Sequence, residues 1–173
     1  MKKVIEFLDR FKFVHKEQLG NEDTIDPEIL GYIFERAMTA IDRKGTGAYY
    51  TPKPITKYIS ENTIYPYIID QTNEFLKTEK GYRETELIKD IEELFILADT
   101  TLNEIWNKII LKIRVLDNAC GSGAFLLAAG NILFELNRRI NDKLGLRNSD
   151  IALKKLILMN NLYGVDINPN GIE

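Results

Sequence analysis

The stretch of the sequence best suited to binding a small ligand contains two glycines in a short loop. Residues 113–117 have the apolar pattern of a short β-strand that ends on Asp117, and Gly121 and Gly123 lie in the residues that follow, 118–123, which we call the glycine loop. Apolar residues then recur at helical spacing. Such a loop lets a ligand approach bare main chain, where the first amides of the helix can donate hydrogen bonds. The order of strand, glycine loop and helix therefore predicts a ligand site at the start of a doubly wound α/β domain.

The spacing around the glycine loop disfavours a pyrophosphate ligand. The dinucleotide fingerprint has a third glycine three residues after the second, and this chain has Leu126 there. The acid of that fingerprint lies about 20 residues further on, whereas the candidate acid here, Asp166, is more than twice as far away. No Gly-Lys-Ser/Thr sequence follows the loop, so a P-loop is also excluded. A smaller ligand with a carboxylate, a ribose and an adenine fits the remaining pattern.

A second predicted strand, residues 162–166, ends on that acid. A helix is predicted between the two strands, over residues 149–160. The Asp166 carboxylate can accept both hydrogen bonds of a ribose diol, and Ile167 can lie against the face of an adenine. Residues 168–169, Asn-Pro, predict the cap of a further helix.

The sequence before residue 112 has mostly helical periodicity. Residues 26–28, Asp-Pro-Glu, are a typical helix start. Residues 51–52, Thr-Pro, begin another helix by the same logic, and Pro66 is expected to end or kink it. Residues 84–104 carry seven acids and one base, and we expect them to form an acidic helical stretch with a solvated face.

The composition is that of a folded, non-secreted chain. The 173 residues are 45% hydrophobic and 28% charged, which favours a core over disorder. The net charge of −3 excludes a wholly basic surface, so contacts with nucleic acid require local patches. The single cysteine, Cys120, cannot form an internal disulfide and favours a reducing, cytoplasmic setting. The longest weakly polar run, residues 119–130, is too short to span a membrane. Because the sequence has a single histidine, His15, and a single cysteine, we do not expect a metal site.

Three segments of the sequence resemble the adenine-specific DNA methyltransferases of restriction-modification systems. Residues 47–52, Gly-Ala-Tyr-Tyr-Thr-Pro, are similar to the N-terminal motif X of that family. Residues 117–125 resemble motif I, and residues 164–169 resemble motif II. Residues 26–35 are similar to a helix that precedes motif X. The order of the motifs is that of the gamma arrangement, and the group most resembled is the Eco57I-like, type IIG group, in which methylase and nuclease share one polypeptide.

The resemblance implies a fold, a cofactor and a partner. Residues 1–111 would form a helical N-terminal region, and residues 112–173 would form the first half of a Rossmann-like methyltransferase domain of the α/β class. The cofactor would be S-adenosylmethionine. The substrate would be double-stranded DNA, bound by a longer parent protein of which this chain would be a part. Because two strands rarely make a stable open sheet, we expect the chain to be the front part of a longer protein, and its strand edges to favour self-association.

By the same resemblance, nine residues would bind the cofactor. The aromatic face of Tyr50 suits a sulfonium cation, and the Thr51 hydroxyl suits the methionine carboxylate. Asp117 would orient the loop and bond the amino group, while Asp166 would hold the ribose. The full set of expected cofactor-binding residues is Tyr50, Thr51, Pro52, Asp117, Ala119, Gly121, Gly123, Asp166 and Ile167. Asn118 departs from the family pattern, which usually has proline there, and Asn tolerates the conformations of a turn.

The catalytic motif of the family, Asn/Asp-Pro-Pro-aromatic, is absent from this sequence. The five prolines, at positions 27, 52, 54, 66 and 169, are never adjacent. We therefore assign no catalytic residue and expect that the isolated chain does not methylate DNA. Two alternatives stay open: a related methylase acting on protein or RNA, and a helical interaction module without catalysis.

Two further features have a structural and a functional interpretation. Cys120 lies in the glycine loop, and we favour a packing role because methylation of an amine needs no covalent intermediate. Residues 138–155 carry six bases and two acids. They could contact DNA phosphates, but we favour the solvated face of two helices.

Overall fold

The computed structural model describes residues 51–167 and the short segments 12–13 and 24–25. The helices in this part of the chain are α1 (Lys53–Lys80), α2 (Asp99–Lys108), α3 (Ala124–Lys143) and α4 (Asp150–Asn160). Three short 3-10 helices are formed by Glu84–Glu86, Ile91–Ile96 and Ile110–Lys112. The strands are β1 (Lys12–Phe13), β2 (Thr24–Ile25), β3 (Val115–Asp117) and β4 (Leu162–Gly164). Across the described residues, none of the helices combines the length and apolar character that a membrane span requires.

The strands form two small parallel pairs. β1 pairs with β2, and β3 pairs with β4 in a register that sets Asp117 opposite Gly164. Helices α3 and α4 lie between β3 and β4 in the chain, as a parallel connection requires. The α/β class is therefore confirmed, with a small parallel sheet in a mostly helical chain. Both strands are shorter than predicted, because β3 begins only at Val115 and β4 ends at Gly164.

Helix α1 continues through Pro66 and ends at Lys80. Proline removes one helical hydrogen bond and costs roughly 3 kcal/mol in a helix interior. The buried face of α1 extends on both sides of the proline, with Ile64 before it and Ile68 and Leu76 after it. Burial of that face offsets the lost bond, so the expectation that Pro66 could end the helix is wrong.

The hydrophobic core lies where α1, α2 and α3 meet. Its central side chains are fully buried: Ile68, Leu76, Leu94, Leu102, Ile105, Leu133 and Ile140. Trp106 packs against this core, and its indole Nε1–H donates to Oδ1 of the buried Asn137 at 2.7 Å. Trp106 is therefore a packing residue of the core.

The acidic stretch 84–104 is not one helical stretch, so that prediction is wrong. Only its last residues, from Asp99, are α-helical; the rest is 3-10 helix and irregular chain. Side chains supply the hydrogen bonds that a longer helix would have made internally. Asn73 of α1 accepts from the Ile88 amide at 2.9 Å and donates to its carbonyl at 2.8 Å. Asp90 accepts from the amides of Glu92 and Glu93.

Acids of this stretch pair with bases elsewhere in the molecule. Asp99 pairs with Lys143 at 3.1 Å, and Glu104 pairs with Lys80 at 2.5 Å. Glu92 accepts two hydrogen bonds from Arg139, whose guanidinium lies 4.0 Å from the centre of the Phe95 ring. Part of the basic stretch 138–155 is thus paired with the acidic stretch, and both remain at the surface.

Replacing Glu92 by glutamine is expected to lower the free energy of unfolding by less than about 1 kcal/mol, because exposed ion pairs contribute little. The hydrogen bonds from Arg139 hold the pKa of the Glu92 carboxyl below its usual value. Such a group stabilises the fold above its unfolded pKa and loses this effect as the pH falls through its folded pKa. Urea unfolding of both proteins at about pH 7 and about pH 3 should therefore show a smaller difference at the lower pH. An equal difference at both pH values would contradict this, and Glu74→Gln on the exposed side of α1 is the control.

Candidate functional site

The glycine loop joins β3 to α3 and is held by short-range hydrogen bonds. The amide of Ala119 donates to Oδ1 of Asp117 at 3.1 Å, so the carboxylate at the end of β3 orients the start of the loop. The amide of Gly123 donates to the carbonyl of Cys120 at 2.7 Å, which closes a tight turn. Helix α3 begins directly after Gly123.

Gly121 and Gly123 both adopt the left-handed conformation, with φ of +50° and +80°. This conformation is strained for a residue with a side chain. A Cβ built at either position would meet no atom within 4 Å. Open space therefore adjoins the main chain at both glycines.

The structure brings Asp166 to the glycine loop. Its Oδ2 accepts a hydrogen bond from the Gly121 amide at 2.7 Å. Main-chain hydrogen bonds hold the two segments together. The Cys120 amide donates to the carbonyl of Val165 at 3.0 Å, and the Val165 amide donates to the main-chain carbonyl of Asp117 at 2.9 Å. Three of the predicted residues, Asp117, Gly121 and Asp166, thus lie together at the carboxyl end of the parallel pair.

The two carboxylate oxygens of Asp117 have different surroundings. While Oδ1 accepts from Ala119, Oδ2 is buried and has no hydrogen-bond partner among the described residues. A buried acceptor without a donor is costly. Oδ2 of Asp117 is therefore an unsatisfied acceptor in the interior beside the glycine loop.

The thiol of Cys120, a residue of the glycine loop, lies close to Gly164 of β4. Burial raises the pKa of Cys120, and the negative charges of Asp117 and Asp166 raise it further. A raised pKa leaves the sulfur protonated near neutral pH, and the thiol is a much weaker nucleophile than the thiolate. This electrostatic setting supports a packing role for Cys120.

Gly164 has a packing role that was not predicted from the sequence. A Cβ at this position would lie 2.8 Å from Cδ1 of Leu126 and 3.0 Å from Sγ of Cys120. The close approach lets α3 and the glycine loop pack directly on β4. The available signal was a glycine inside a predicted strand, which often marks a close contact.

Gly164→Ala is expected to lower the free energy of unfolding by about 1–3 kcal/mol, the usual cost of overpacking. Urea unfolding measures this loss. In a Leu126→Ala background the nearest atom is removed, so the same glycine substitution should cost less. A Gly164→Ala chain as stable as wild type would contradict the packing role.

The remaining predicted residues are less closely connected to the loop. Ile167 is 87% exposed beside Asp166, so its side chain is accessible to a ligand. Thr51 and Pro52 precede α1, and no hydrogen bond in the described part of the chain joins them to the glycine loop. Tyr50 and the residues before it in the motif X-like segment lie outside the described residues, as do residues 168–169.

The site contains no grouping of metal ligands. Among residues 51–167, no three His, Cys, Asp or Glu side chains are placed so that they could hold a metal ion. The polar groups at the site include main-chain amides of the glycine loop and the carboxylates of Asp117 and Asp166.

Comparison with known proteins gives this geometry a family context. Residues 92–172 match the family described as MmeI, DNA-methyltransferase domain. The chain is also 41% identical, over 187 aligned residues, to a protein of Methanocaldococcus jannaschii named as a type II restriction enzyme and methyltransferase. The resemblance to restriction-modification methyltransferases is confirmed. The matched residues include β3, the glycine loop, α3, α4, β4 and Asp166.

A second relative is similar over most of the chain. The adenine-specific methyltransferase BrxX of Escherichia coli O9:H4 (strain HS) is 26% identical over 178 residues, which cover 91% of this chain. The chain spans about 15% of the length of the M. jannaschii protein and about 13% of BrxX.

Proposed function

We propose that this chain carries the S-adenosylmethionine-binding part of an adenine-specific DNA methyltransferase of a restriction-modification system. In this proposal, residues 112–173 are the first half of a Rossmann-like domain, and residues 1–111 are a mainly helical region before it, which also contains the short strands β1 and β2. The order β3, glycine loop, α3, α4 and β4, with β3 and β4 parallel, supports this assignment. The single cysteine and the proposed DNA substrate favour a cytoplasmic setting.

One observation carries the proposal: a glycine loop with open main chain lies within hydrogen-bond distance of an acid from the next strand. The open space at Gly121 and Gly123 fits a ligand that approaches the backbone closely. A carboxylate has about four acceptor sites. Accepting the Gly121 amide is therefore compatible with Asp166 also accepting the hydroxyls of a ribose. S-adenosylmethionine, when bound, supplies a methyl group activated by its sulfonium.

The other expected residues have supporting roles in this proposal. The unpartnered Oδ2 of Asp117 is suited to accept from the amino group of the methionine part. The exposed side chain of Ile167 is suited to cover an adenine, and the small side chain of Ala119 would allow the cofactor to approach the loop closely. Tyr50, Thr51 and Pro52 would enclose the methionine end, a role that rests on the motif X resemblance.

A calorimetric titration of the chain with S-adenosylmethionine tests the proposal. We expect saturable binding, and we expect no comparable binding of ATP, which shares the adenosine but lacks the methionine part. No heat at millimolar S-adenosylmethionine would overturn the proposal and favour the interaction module without catalysis. Equal binding of ATP would point to a general nucleotide site.

The proposed substrate is double-stranded DNA, with adenine as the methylated base. The match to the MmeI DNA-methyltransferase domain supports DNA over protein or RNA, and the adenine specificity in the name of BrxX supports adenine. We infer that the parent protein supplies the Asn/Asp-Pro-Pro-aromatic motif. That motif would hold the flipped-out adenine and its amine.

The isolated chain is expected to transfer no methyl group to DNA, because its sequence has no adjacent prolines and hence no such motif. Incubation with tritiated S-adenosylmethionine and mixed-sequence DNA measures this. An active adenine methylase on the same DNA is the positive control. Incorporation of label above background by this chain would contradict the expectation.

Self-association of the chain is a further part of the proposal. Val115 and Leu162 pack against the core, so Leu116 and Tyr163 alternate onto the other face of the strand pair. Leu116 is 64% exposed and Tyr163 is 42% exposed. An apolar face beside strand edges favours association between copies. Sedimentation velocity over a range of protein concentrations would detect it.

A further inference from the structure

Asn161 connects the beginnings of the two strands, at the end of the pair that is remote from the glycine loop. It follows helix α4 and precedes β4, and only 2% of its surface is exposed. Its side-chain Nδ2 donates to the carbonyl of Ile113 at 2.7 Å. Its main-chain carbonyl accepts from the amide of Val115 at 2.7 Å. The residue thus holds the start of β4 against the start of β3 through both its side chain and its backbone.

The orientation of the Asn161 amide is fixed by its surroundings. Oδ1 is buried and has no hydrogen-bond partner among the described residues. Exchanging the two ends of the amide would set Oδ1 against the oxygen of Ile113, and two acceptors repel each other. The side chain therefore acts as a donor to β3.

The strand pair itself is too short to fix its register strongly. Each strand has three residues. A slip of one residue would move every side chain of a strand to the opposite face. Such a slip would also displace Asp166 from Gly121. The hydrogen bond between these two residues, at the carboxyl end of the strand pair, defines the proposed site.

We propose that Asn161 is a positioning residue, which fixes the register of β4 on β3 and thereby brings Asp166 to the glycine loop. About 16 Å of extended chain separates Asn161 from Asp166, so Asn161 acts without touching a ligand. The structural part of this inference stands on the contacts alone. Its consequence for the cofactor rests on the proposed function.

The test compares Asn161→Asp with Asn160→Asp. Both substitutions add a negative charge at the end of α4, but only Asn161 is buried and donates to Ile113. Hydrogen exchange of the Gly121 amide, followed by NMR, reports the bond to Asp166, and the Leu133 amide in α3 reports global stability. In Asn161→Asp, the exchange rate of the Gly121 amide should rise at least about tenfold more than that of the Leu133 amide. The affinity for S-adenosylmethionine should fall at least about tenfold. Asn160→Asp should leave both within about twofold of wild type.

Several outcomes would overturn the positioning role. These are an unprotected Gly121 amide in wild type, equal acceleration at Gly121 and Leu133, or unchanged exchange in Asn161→Asp. If Asn161→Asp does not fold, Asn161→Leu removes the donor at similar volume without adding charge, and the same results are expected. If wild type does not bind S-adenosylmethionine, the proposed function fails while the exchange comparison still decides the role of Asn161.

Discussion

Replacing Asp166 by alanine is expected to weaken S-adenosylmethionine binding by about tenfold to a hundredfold. The carboxylate is placed at the glycine loop by its bond with the Gly121 amide. Hydrogen bonds to a charged group contribute roughly 1.5–3 kcal/mol each, and about 1.4 kcal/mol corresponds to a tenfold change in affinity. Calorimetric titration of both proteins measures the difference.

Two further variants make the Asp166 result interpretable. Asp166→Asn keeps a side-chain oxygen that can accept hydrogen bonds, so its loss should be smaller than that of alanine. Asp142→Ala removes an exposed carboxylate from α3 and should leave the affinity unchanged. Equal affinity of Asp166→Ala and wild type would exclude a role for this acid in binding.

Replacing Leu133 by alanine is expected to lower the free energy of unfolding by about 2–5 kcal/mol. Leu133 is fully buried in α3, at the centre of the core shared with α1 and α2. The loss combines the removed apolar contacts with the cavity left behind. Because small domains have a total stability of roughly 5–15 kcal/mol, one such substitution removes a large share of it.

Leu127 provides a matched control on the same helix. It is 41% exposed, so Leu127→Ala changes the same atoms with much less loss of burial. Urea unfolding should give a clearly smaller effect there than at Leu133. Equal effects at the two positions would contradict the placement of the core between α3 and its neighbours.

Short-range patterns in the sequence predicted much of this fold. The glycine loop and its flanking strand and helix were predicted because glycine and apolar spacing act over a few residues. The helix over residues 149–160 begins as its sequence indicates, since the Ser149 hydroxyl accepts from the amide of Ala152. The place of Asp166, two residues after the end of β4, was close to the strand end that the short apolar pattern predicted.

The features that the sequence did not predict depend on residues far apart in the chain. Asn73 makes both of its bonds to Ile88, and these replace the helix expected around residue 88. Arg139 pairs with Glu92 of the acidic stretch. This ion pair could not be predicted from either charged segment alone, because the two segments are far apart in the sequence. Local propensity carries no information about such partners, and tertiary contacts override it.

The packing residues of the site were missed for the same reason. In the sequence, Gly164 is one residue of a predicted strand, and only the structure shows that Leu126 and Cys120 lie beside it. Asn161 is a residue between a predicted helix and a predicted strand, and only the structure shows that its side-chain amide donates to Ile113. Both become significant only in the register that joins β3 to β4.

NMR mapping of S-adenosylmethionine on the ¹⁵N-labelled chain tests whether the cofactor binds at the glycine loop. We expect the amide signals of Gly121, Gly123 and Asp166 to shift most as the cofactor is added, while those of α2 stay in place. Saturable shifts that leave the glycine loop unaffected, or no shifts at millimolar cofactor, would contradict this expectation.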